Sequence, residues 1–140
     1  MKKASYLLMV LSLVVSACGS SSGTSGYGTG TTGTTTSSSS LAVSSGHLVD
    51  GNGRTLYQDG TSTTACTTGS GCISAWPPYY VTAAPTAESG VTGAISTVVR
   101  SDGLGTQATY NGQPLYYFVD DTSPGEVSGN GQSGFSFVTP

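Results

Sequence analysis

The chain has 140 residues, a formal net charge of -3, and only 8% charged residues. Four basic residues in an acidic chain cannot form the clustered positive surface that nucleic-acid binding requires, and they cannot hold the chain on an anionic bilayer by charge. Glycine is abundant, at 21 residues. This composition is typical of strands and tight turns in an extracytoplasmic protein, and it predicts no nucleic-acid partner.

Residues 1–17 have the pattern of an export signal. Lys2 and Lys3 precede an apolar run over residues 7–15. This run is shorter than the roughly 20 apolar residues that a membrane-spanning helix needs. We therefore interpret residues 1–17 as a cleaved signal peptide.

Cys18 decides which kind of signal this is. Val15-Ser16-Ala17-Cys18 resembles the bacterial lipobox. The resemblance implies that Cys18 carries a diacylglyceryl group and becomes the new N-terminus, with acyl chains of the palmitate type in the membrane. Gly19, in place of an aspartate, implies transfer to the outer membrane if the host has two membranes. The alternatives are an ordinary signal peptide cut after Ala17 and an uncleaved anchor.

A low-complexity stretch follows the cysteine. Between Gly19 and Ser45, every position except Tyr27 and the run Leu41-Ala42-Val43 is glycine, serine or threonine. Such a stretch buries too little apolar surface to offset the entropy of ordering its backbone. We therefore expect residues 18–45 to be a lipidated cysteine followed by a disordered linker, and residues 46–140 to be one folded domain.

Turn signals divide this domain into strands. Asn111-Gly112 lies between two β-prone runs, which is the strongest local signal for a hairpin. No apolar period of 3.6 residues follows Gly46, so helices are not expected beyond one short turn near Trp76, ended by Pro77-Pro78. The predicted strands are 54–57, 94–100, 106–110, 114–119 and 135–138.

An internal repeat relates the two halves of the domain. Asn52–Tyr57 aligns with Asn111–Tyr116. The difference in residue number is the same for every aligned pair and is called the repeat offset below. We predict two degenerate repeats, at about 46–82 and 94–140. The predicted fold class is mostly β, a small pseudo-twofold β-sandwich or barrel in which each half covers the apolar face of the other.

Cys66 and Cys72 form an even pair in an exported chain. The segment between them is small and flexible enough to let the sulfurs meet, so a structural disulfide is expected. The alternatives are a metal site, for which His47 is the one further histidine ligand, and a redox site, for which Cys-x-x-Cys would be the usual spacing. We expect His47 itself to be solvated and Arg100 to pair with a nearby acid.

The aromatic residues are the richest candidates for a binding surface. They could stack on a sugar or a peptide, but the domain has few other large apolar residues, so many of these rings are expected in the core. The candidate ligand contacts are Trp76, Tyr79 and Tyr117.

Asp120, Asp121 and Glu126 form a small acidic cluster in a turn-rich stretch. They could hold Ca²⁺, but the alternating ligands of an EF-hand loop are missing. Carboxylates that cap turns are the simpler interpretation. The sequence predicts no metal site.

The order of these motifs resembles a known family. Trp76-Pro77-Pro78-Tyr79, Thr109–Phe118 and Asp121 follow one another as in the "secreted repeat of unknown function" lipoproteins, described as predicted lipoproteins with a Tyr-x-aromatic-x-x-Asp motif. The resemblance covers residues 46–140, and Tyr116, Phe118 and Asp121 match the motif. The chain departs from the pattern in three respects: Asp59 replaces an aromatic residue in the first repeat, Phe135 stands where tryptophan is common, and the cysteines are spaced more widely. The family has no established activity to carry over.

Strand alternation gives the motif a structural interpretation. Tyr116 and Phe118 point to one face of a strand and Tyr117 to the other. We expect Tyr116 and Phe118 to be buried and Tyr117 to be exposed. Asp121 is expected to accept hydrogen bonds from the turn 122–125.

Two functions remain open at this stage. The first is a membrane-anchored binding or envelope-structural module without catalytic residues or cofactors, with a glycan or an envelope protein as partner. The second is a small extracytoplasmic enzyme or redox protein. The first is favoured, because the one histidine has no evident nucleophile and acid beside it.

Overall fold

The structure is a computed structural model and describes residues 39–60 and 66–140. The predicted signal peptide, Cys18 and most of the predicted linker lie outside these residues. The described part is mostly β, as predicted. Its strands are β1 Ser40–Ser44, β2 His47–Asp50, β3 Tyr57–Asp59, β4 Thr86–Ala87, β5 Ile95–Val99, β6 Thr106–Tyr110, β7 Gln113–Pro114 and β8 Phe135–Phe137.

These strands form three small sheets. Their strand orders are β2-β1-β4, β3-β8 and β5-β6-β7, and within the described residues no sheet closes into a barrel. Asn111 and Gly112 join β6 to β7 with φ values of 50° and 78°. Two consecutive positive φ values suit a tight hairpin turn, and this is why asparagine and glycine stand there. The hairpin predicted at this position is confirmed.

The first strand corrects the predicted linker. Residues 18–45 were expected to be disordered, but β1 covers Ser40–Ser44 and pairs antiparallel with β2. Leu41, in the one short apolar run of the linker, is 0% exposed. Burial of that side chain, worth about 1.5–3 kcal/mol, together with the ladder to β2, offsets the ordering of the strand. The boundary expected at Gly46 is therefore wrong, and the domain begins before it.

Backbone hydrogen bonds link the two halves of the domain repeatedly. Tyr57 and Tyr116 donate to each other's carbonyl oxygen, both at 2.9 Å. Strand β3 from the first half pairs with β8 from the second. Conversely, the Tyr79 amide donates to the Leu115 carbonyl at 2.9 Å. The second half therefore contributes strand β8 to a sheet with β3, and the segment around Tyr79 bonds to the second half through its backbone.

Two buried clusters fill the domain. The aliphatic core gathers residues from both halves, and the aromatic cluster lies beside the cysteines. The aliphatic core consists of Leu41, Leu48, Leu56, Tyr79, Val81, Ala108, Tyr110, Leu115 and Val138. The aromatic cluster consists of Tyr57, Cys66, Trp76, Tyr116, Phe118 and Phe135.

The segment 115–118 separates these two clusters. Leu115 belongs to the aliphatic core and Tyr117 packs against it, whereas Tyr116 and Phe118 belong to the aromatic cluster. Successive side chains of an extended chain point in opposite directions, so one short segment contributes to both clusters. The predicted burial of Tyr116 and Phe118 is confirmed.

The cysteine segment holds the helical structure of the described residues. Single 3₁₀ turns cover Thr68–Ser70 and Cys72–Ser74. The second lies just before Trp76, where the sequence predicted a helical turn. Cys66 and Cys72 form the expected disulfide, with their Cα atoms 5.9 Å apart.

Candidate functional site

The candidate site is built on the turn that follows β2. One oxygen of the Asp50 carboxylate accepts hydrogen bonds from the backbone amides of Asn52 and Arg54, both at 2.9 Å. Gly53 has a φ of 82° and donates to the Asp50 carbonyl at 2.8 Å. An aspartate at the start of a turn that needs a left-handed glycine is a common local solution. The carboxylate is therefore held in one orientation. Asp50 is also buried, with only 5% exposure.

Tyr117 lies against the other oxygen of this carboxylate. Its hydroxyl donates to Asp50 Oδ2 at 2.9 Å. The Arg54 guanidinium carbon lies 4.1 Å from the centre of the Tyr117 ring, in the range of a cation–π contact. Tyr117 was expected to be exposed, and this is wrong: the ring is half-buried, since its edge packs against the aliphatic core.

Tyr79 completes the site from the other side. Its ring centroid is 5.3 Å from that of Tyr117, at an interplanar angle of 60°. A surface cavity of about 280 Å³ opens here. It is lined by Ser39, Ser40, Asp50, Asn52, Tyr79 and Tyr117 and is called the Asp50 cavity below.

The phenols of this cavity are held in their neutral form. Burial, followed by the charge of Asp50 and the hydrogen bond to it, raises the pKa of Tyr117, and the charge of Arg54 lowers it by a smaller amount. Burial also raises the pKa of Tyr79, with the Asp50 charge acting in the same direction. The cavity therefore offers neutral phenol hydroxyls next to the Asp50 carboxylate.

Two of the three predicted ligand contacts, Tyr79 and Tyr117, line the Asp50 cavity. The third, Trp76, does not. Trp76 is only 2% exposed and lies in the aromatic cluster. Its ring stacks on Phe135 with centroids 4.0 Å apart and also contacts Phe118 at 4.7 Å. Trp76 was expected to face a ligand, but the cluster around it leaves no accessible ring face.

The last residue of the family motif has a different partner from the one predicted. Asp121 Oδ2 accepts a hydrogen bond of 2.5 Å from the Tyr57 hydroxyl, and Oδ1 accepts one of 2.9 Å from the Ser128 amide. The expected bonds from the turn 122–125 go to Glu126 instead, whose Oε2 accepts from the Thr122 and Ser123 amides. Asp121 therefore connects the two halves of the domain.

The acidic cluster is consequently dispersed. Asp121 is buried, Glu126 caps its own turn, and Asp120 is exposed. Within residues 39–60 and 66–140, no three His, Cys, Asp or Glu side chains come together as a metal-binding group. The interpretation of these carboxylates as turn caps fits Glu126 directly.

Arg100 pairs with an acid, as predicted. Its guanidinium binds both oxygens of Asp102, at 3.0 and 2.5 Å. It also donates to Gln107 Oε1 at 2.6 Å and to the Cys66 carbonyl at 2.5 Å. The hydrogen bond to Asp102 raises the pKa of Arg100, while burial opposes this. Arg100 therefore joins the β5–β6 hairpin to the disulfide segment.

His47 was expected to be solvated, and this is wrong. It is 4% exposed, and its ring packs on Phe137 with centroids 5.3 Å apart. The Thr55 hydroxyl gives its proton to the Glu126 carbonyl at 2.6 Å, so His47 Nε2 donates to the Thr55 oxygen across 3.2 Å. The side chain thereby has a structural partner.

The sequence analysis missed Asp50 and Arg54 as members of the site. A local signal for Asp50 exists, because Asp-Gly-Asn-Gly is a typical turn in which the aspartate oxygen accepts backbone amides. No local signal brings Tyr117 to it, since the two residues are 67 positions apart.

Of three comparisons with known proteins, one gives a match. Residues 96–136 match the family model described as "secreted repeat of unknown function", the family that the sequence resembles. The matched segment includes Tyr116, Phe118 and Asp121. A secreted family places the domain outside the cytoplasm. No curated protein and no solved structure matches the chain. In the part that the structure describes, no helix is long and apolar enough to cross a membrane.

Proposed function

We propose that the chain is a lipid-anchored module of the cell envelope that binds a glycan without catalysis, at the Asp50 cavity. Attachment would be through the lipid on Cys18, because a lipobox-like segment precedes this residue and the domain is too acidic to bind an anionic bilayer by charge. If the host has two membranes, Gly19 favours the outer one. A lipid tether would hold a binding module at the membrane surface, close to a ligand in the cell envelope.

The observation that carries the proposal is the geometry of Asp50, Tyr79 and Tyr117. The carboxylate is fixed by two backbone amides and one phenol hydroxyl before any ligand arrives. Sugar recognition needs such pre-oriented polar groups for ring hydroxyls and an aromatic surface for the apolar side of the ring. The cavity of about 280 Å³ is at the lower end of the roughly 300–1,000 Å³ usual for ligand sites, which suits one sugar unit rather than a large molecule.

Two contacts favour binding over the alternative of an enzyme or redox protein. Glycoside hydrolysis needs two carboxylates that face one bond, but Asp121 is bonded to Tyr57 whereas Asp120 is exposed. His47, the single histidine, is held against Thr55 and Phe137. Neither arrangement provides an acid–base pair directed at the Asp50 cavity.

We also infer that the two repeats are related by an approximate twofold axis and exchange their last strands. The support is a pair of matching backbone hydrogen-bond rings. In one, Leu48 donates to Val138, Val138 to Leu56 and Leu56 to Leu48. In the other, Ala108 donates to Tyr79, Tyr79 to Leu115 and Leu115 to Ala108. The repeat offset separates Leu56 from Leu115, Tyr79 from Val138, and also Trp76 from Phe135, whose rings stack on each other.

The test is a glycan-array screen of the exported chain carrying Cys18→Ser, followed by calorimetric titration of the saccharide that binds. We expect binding that Asp50→Asn and Tyr117→Phe each weaken about tenfold, the value of one hydrogen bond to a charged group. Asp120→Asn is the matched control, because it removes an exposed acid outside the cavity. An array without any bound saccharide, or Asp50→Asn binding like the parent, would contradict the proposal. Thermal melts of each variant separate lost binding from lost folding.

A further inference from the structure

A second cavity opens at the surface beside the β6–β7 turn. It has a volume of about 270 Å³, close to that of the Asp50 cavity. Its lining includes Gln58, Tyr110, Asn111, Gln113 and Val138, and it is called the Gln58 cavity below. Nothing in the proposed function uses it.

The linings of the two cavities correspond at several positions. The repeat offset that relates Asn52 to Asn111 also relates Gln58 to Tyr117. Tyr79 and Val138 have the same separation and occupy matching places in the two hydrogen-bond rings. Three positions of one cavity therefore have a counterpart in the other.

The pairing of the hairpins extends this correspondence to Asp50. Asp50, the last residue of β2, pairs with Leu41 in β1, and Tyr110, the last residue of β6, pairs with Ile95 in β5. Each hairpin then leads into a turn with a left-handed glycine, at φ 82° after β2 and at φ 78° after β6. Asp50 and Tyr110 therefore occupy equivalent hairpin positions, separated by one residue more than the repeat offset because the turn after β2 is one residue longer.

The Gln58 side chain is held as firmly as the Asp50 carboxylate. Its amide nitrogen donates to the carbonyl of Tyr110 at 2.7 Å and to that of Gln113 at 3.1 Å. In this correspondence Tyr110 replaces Asp50, Gln58 replaces Tyr117 and Val138 replaces Tyr79. The described lining is therefore uncharged, and its amides are those of Gln58, Asn111 and Gln113. Carboxamides match the donor and acceptor of an acetamido group better than they match a charged group.

We propose that the Gln58 cavity is a second binding site, equivalent by the approximate twofold axis to the Asp50 cavity, and that it takes an N-acetylated sugar unit. This rests on the proposed function only for the class of ligand, since the cavity and its correspondence to the Asp50 cavity are independent of it. One chain would then contact two units of a glycan, or two glycan strands, through one charged and one uncharged site. Two weak contacts on one rigid domain raise the overall affinity without any further interaction.

The experiment is an NMR titration of the isotope-labelled full chain carrying Cys18→Ser with an N-acetylglucosamine tetrasaccharide. Backbone amide signals are followed at Tyr110–Gln113 for the Gln58 cavity and at Asp50–Arg54 for the Asp50 cavity. Saturable shifts at Tyr110–Gln113 are expected. Gln113→Ala should weaken them about tenfold, the value of one or two hydrogen bonds. Gln132→Ala, the matched control at an exposed glutamine outside the cavity, should leave them unchanged.

The outcomes separate the two proposals. Shifts confined to Asp50–Arg54 would overturn the second site and leave the proposed function standing. Shifts confined to Tyr110–Gln113 would support the second site and count against the Asp50 cavity. An unchanged spectrum, or shifts that Gln113→Ala does not weaken in a variant with parental melting temperature, would overturn the second site.

Discussion

At the scale of single residues, one hydrogen bond connects the family motif of the second half to the first half. The Tyr57 hydroxyl, 0% exposed, donates to the Asp121 carboxylate at 2.5 Å. Burial, together with Asp121 as hydrogen-bond partner and as charge, raises the pKa of Tyr57 well above its ordinary value. A buried polar group is costly unless it is bonded, so the Tyr57 hydroxyl and the Ser128 amide give the buried Asp121 side chain the partners that it needs inside the domain.

This bond predicts loss of stability at alkaline pH. A tyrosine whose pKa is raised on folding contributes stability that is complete below its unfolded pKa of about 10 and is lost as the pH rises toward the folded value. The melting temperature, followed by circular dichroism from about pH 7 to about pH 11, should therefore fall above about pH 10. Tyr57→Phe should be less stable at neutral pH by about 1–3 kcal/mol, because Asp121 loses a donor, and should decline less steeply. Parallel curves for the two proteins would assign the alkaline loss to other tyrosines, such as Tyr117.

The residue scale also shows how far sequence reasoning reaches. Alternation along a strand was sufficient to predict that Tyr116 and Phe118 are buried, because that rule needs only neighbouring residues. It failed for Tyr117, since both sides of this extended segment face a buried cluster and the rule assumes one solvent-exposed face. Local reasoning also failed for Asp121, whose partner Tyr57 is far away in the sequence.

At the scale of elements, Arg100 fastens a hairpin to a loop. The β5–β6 turn holds Asp102, strand β6 holds Gln107, and the disulfide segment supplies the Cys66 carbonyl, and all three bind one guanidinium. A planar group with five donors can serve three acceptors at once, which lysine cannot. The sequence predicted that Arg100 pairs with a nearby acid, and Asp102 is close to it in the chain. The contact between Arg100 and the Cys66 carbonyl could not be predicted in this way.

Replacement of Arg100 should therefore destabilise the domain strongly. Arg100→Met leaves the fully buried Gln107 Oε1 without its donor, and the expected loss is about 1–3 kcal/mol in urea unfolding. Arg100→Lys keeps the positive charge but not the planar guanidinium with its several donors. We therefore expect it to retain only part of the parental stability. Asp120→Asn, at an exposed acid, serves as the control with an expected change within about 0.5 kcal/mol. Full recovery by lysine would show that charge alone matters at this position.

At the scale of the whole molecule, the proposed lipid anchor determines where the domain works. Cys18→Ser removes the thiol that would carry the lipid, so we expect the protein to move from the membrane fraction to the soluble fraction, or to accumulate with its signal attached. Fractionation and immunoblotting of the parent and variant measure this. Cys72→Ser, which removes a cysteine of the folded domain, is the control and should stay in the membrane fraction. An unchanged distribution of Cys18→Ser would contradict lipid anchoring.

The overall plan was only partly predictable. The mostly β class followed from frequent turn signals and from the lack of a helical period. The two repeats remain a prediction from two Asn-Gly turns, each followed two residues later by a Leu-Tyr pair. The start of the domain was missed because Leu41-Ala42-Val43 is too short to stand out in a low-complexity stretch, although Leu41 is fully buried. Pairing between distant strands, such as β3 with β8, has no local signal at all.

The pairing of β3 with β8 has a consequence for the order in which the protein can fold. Tyr57 pairs with Phe137, and Trp76 stacks on Phe135. Neither contact can form before the later residue of the pair is available. A chain that emerges amino end first therefore cannot complete the aromatic cluster until these last residues arrive. Such long-range closure is slow compared with local hairpin formation. For a secreted protein this delay is useful, because export machinery threads unfolded chains, and the domain would close only after translocation.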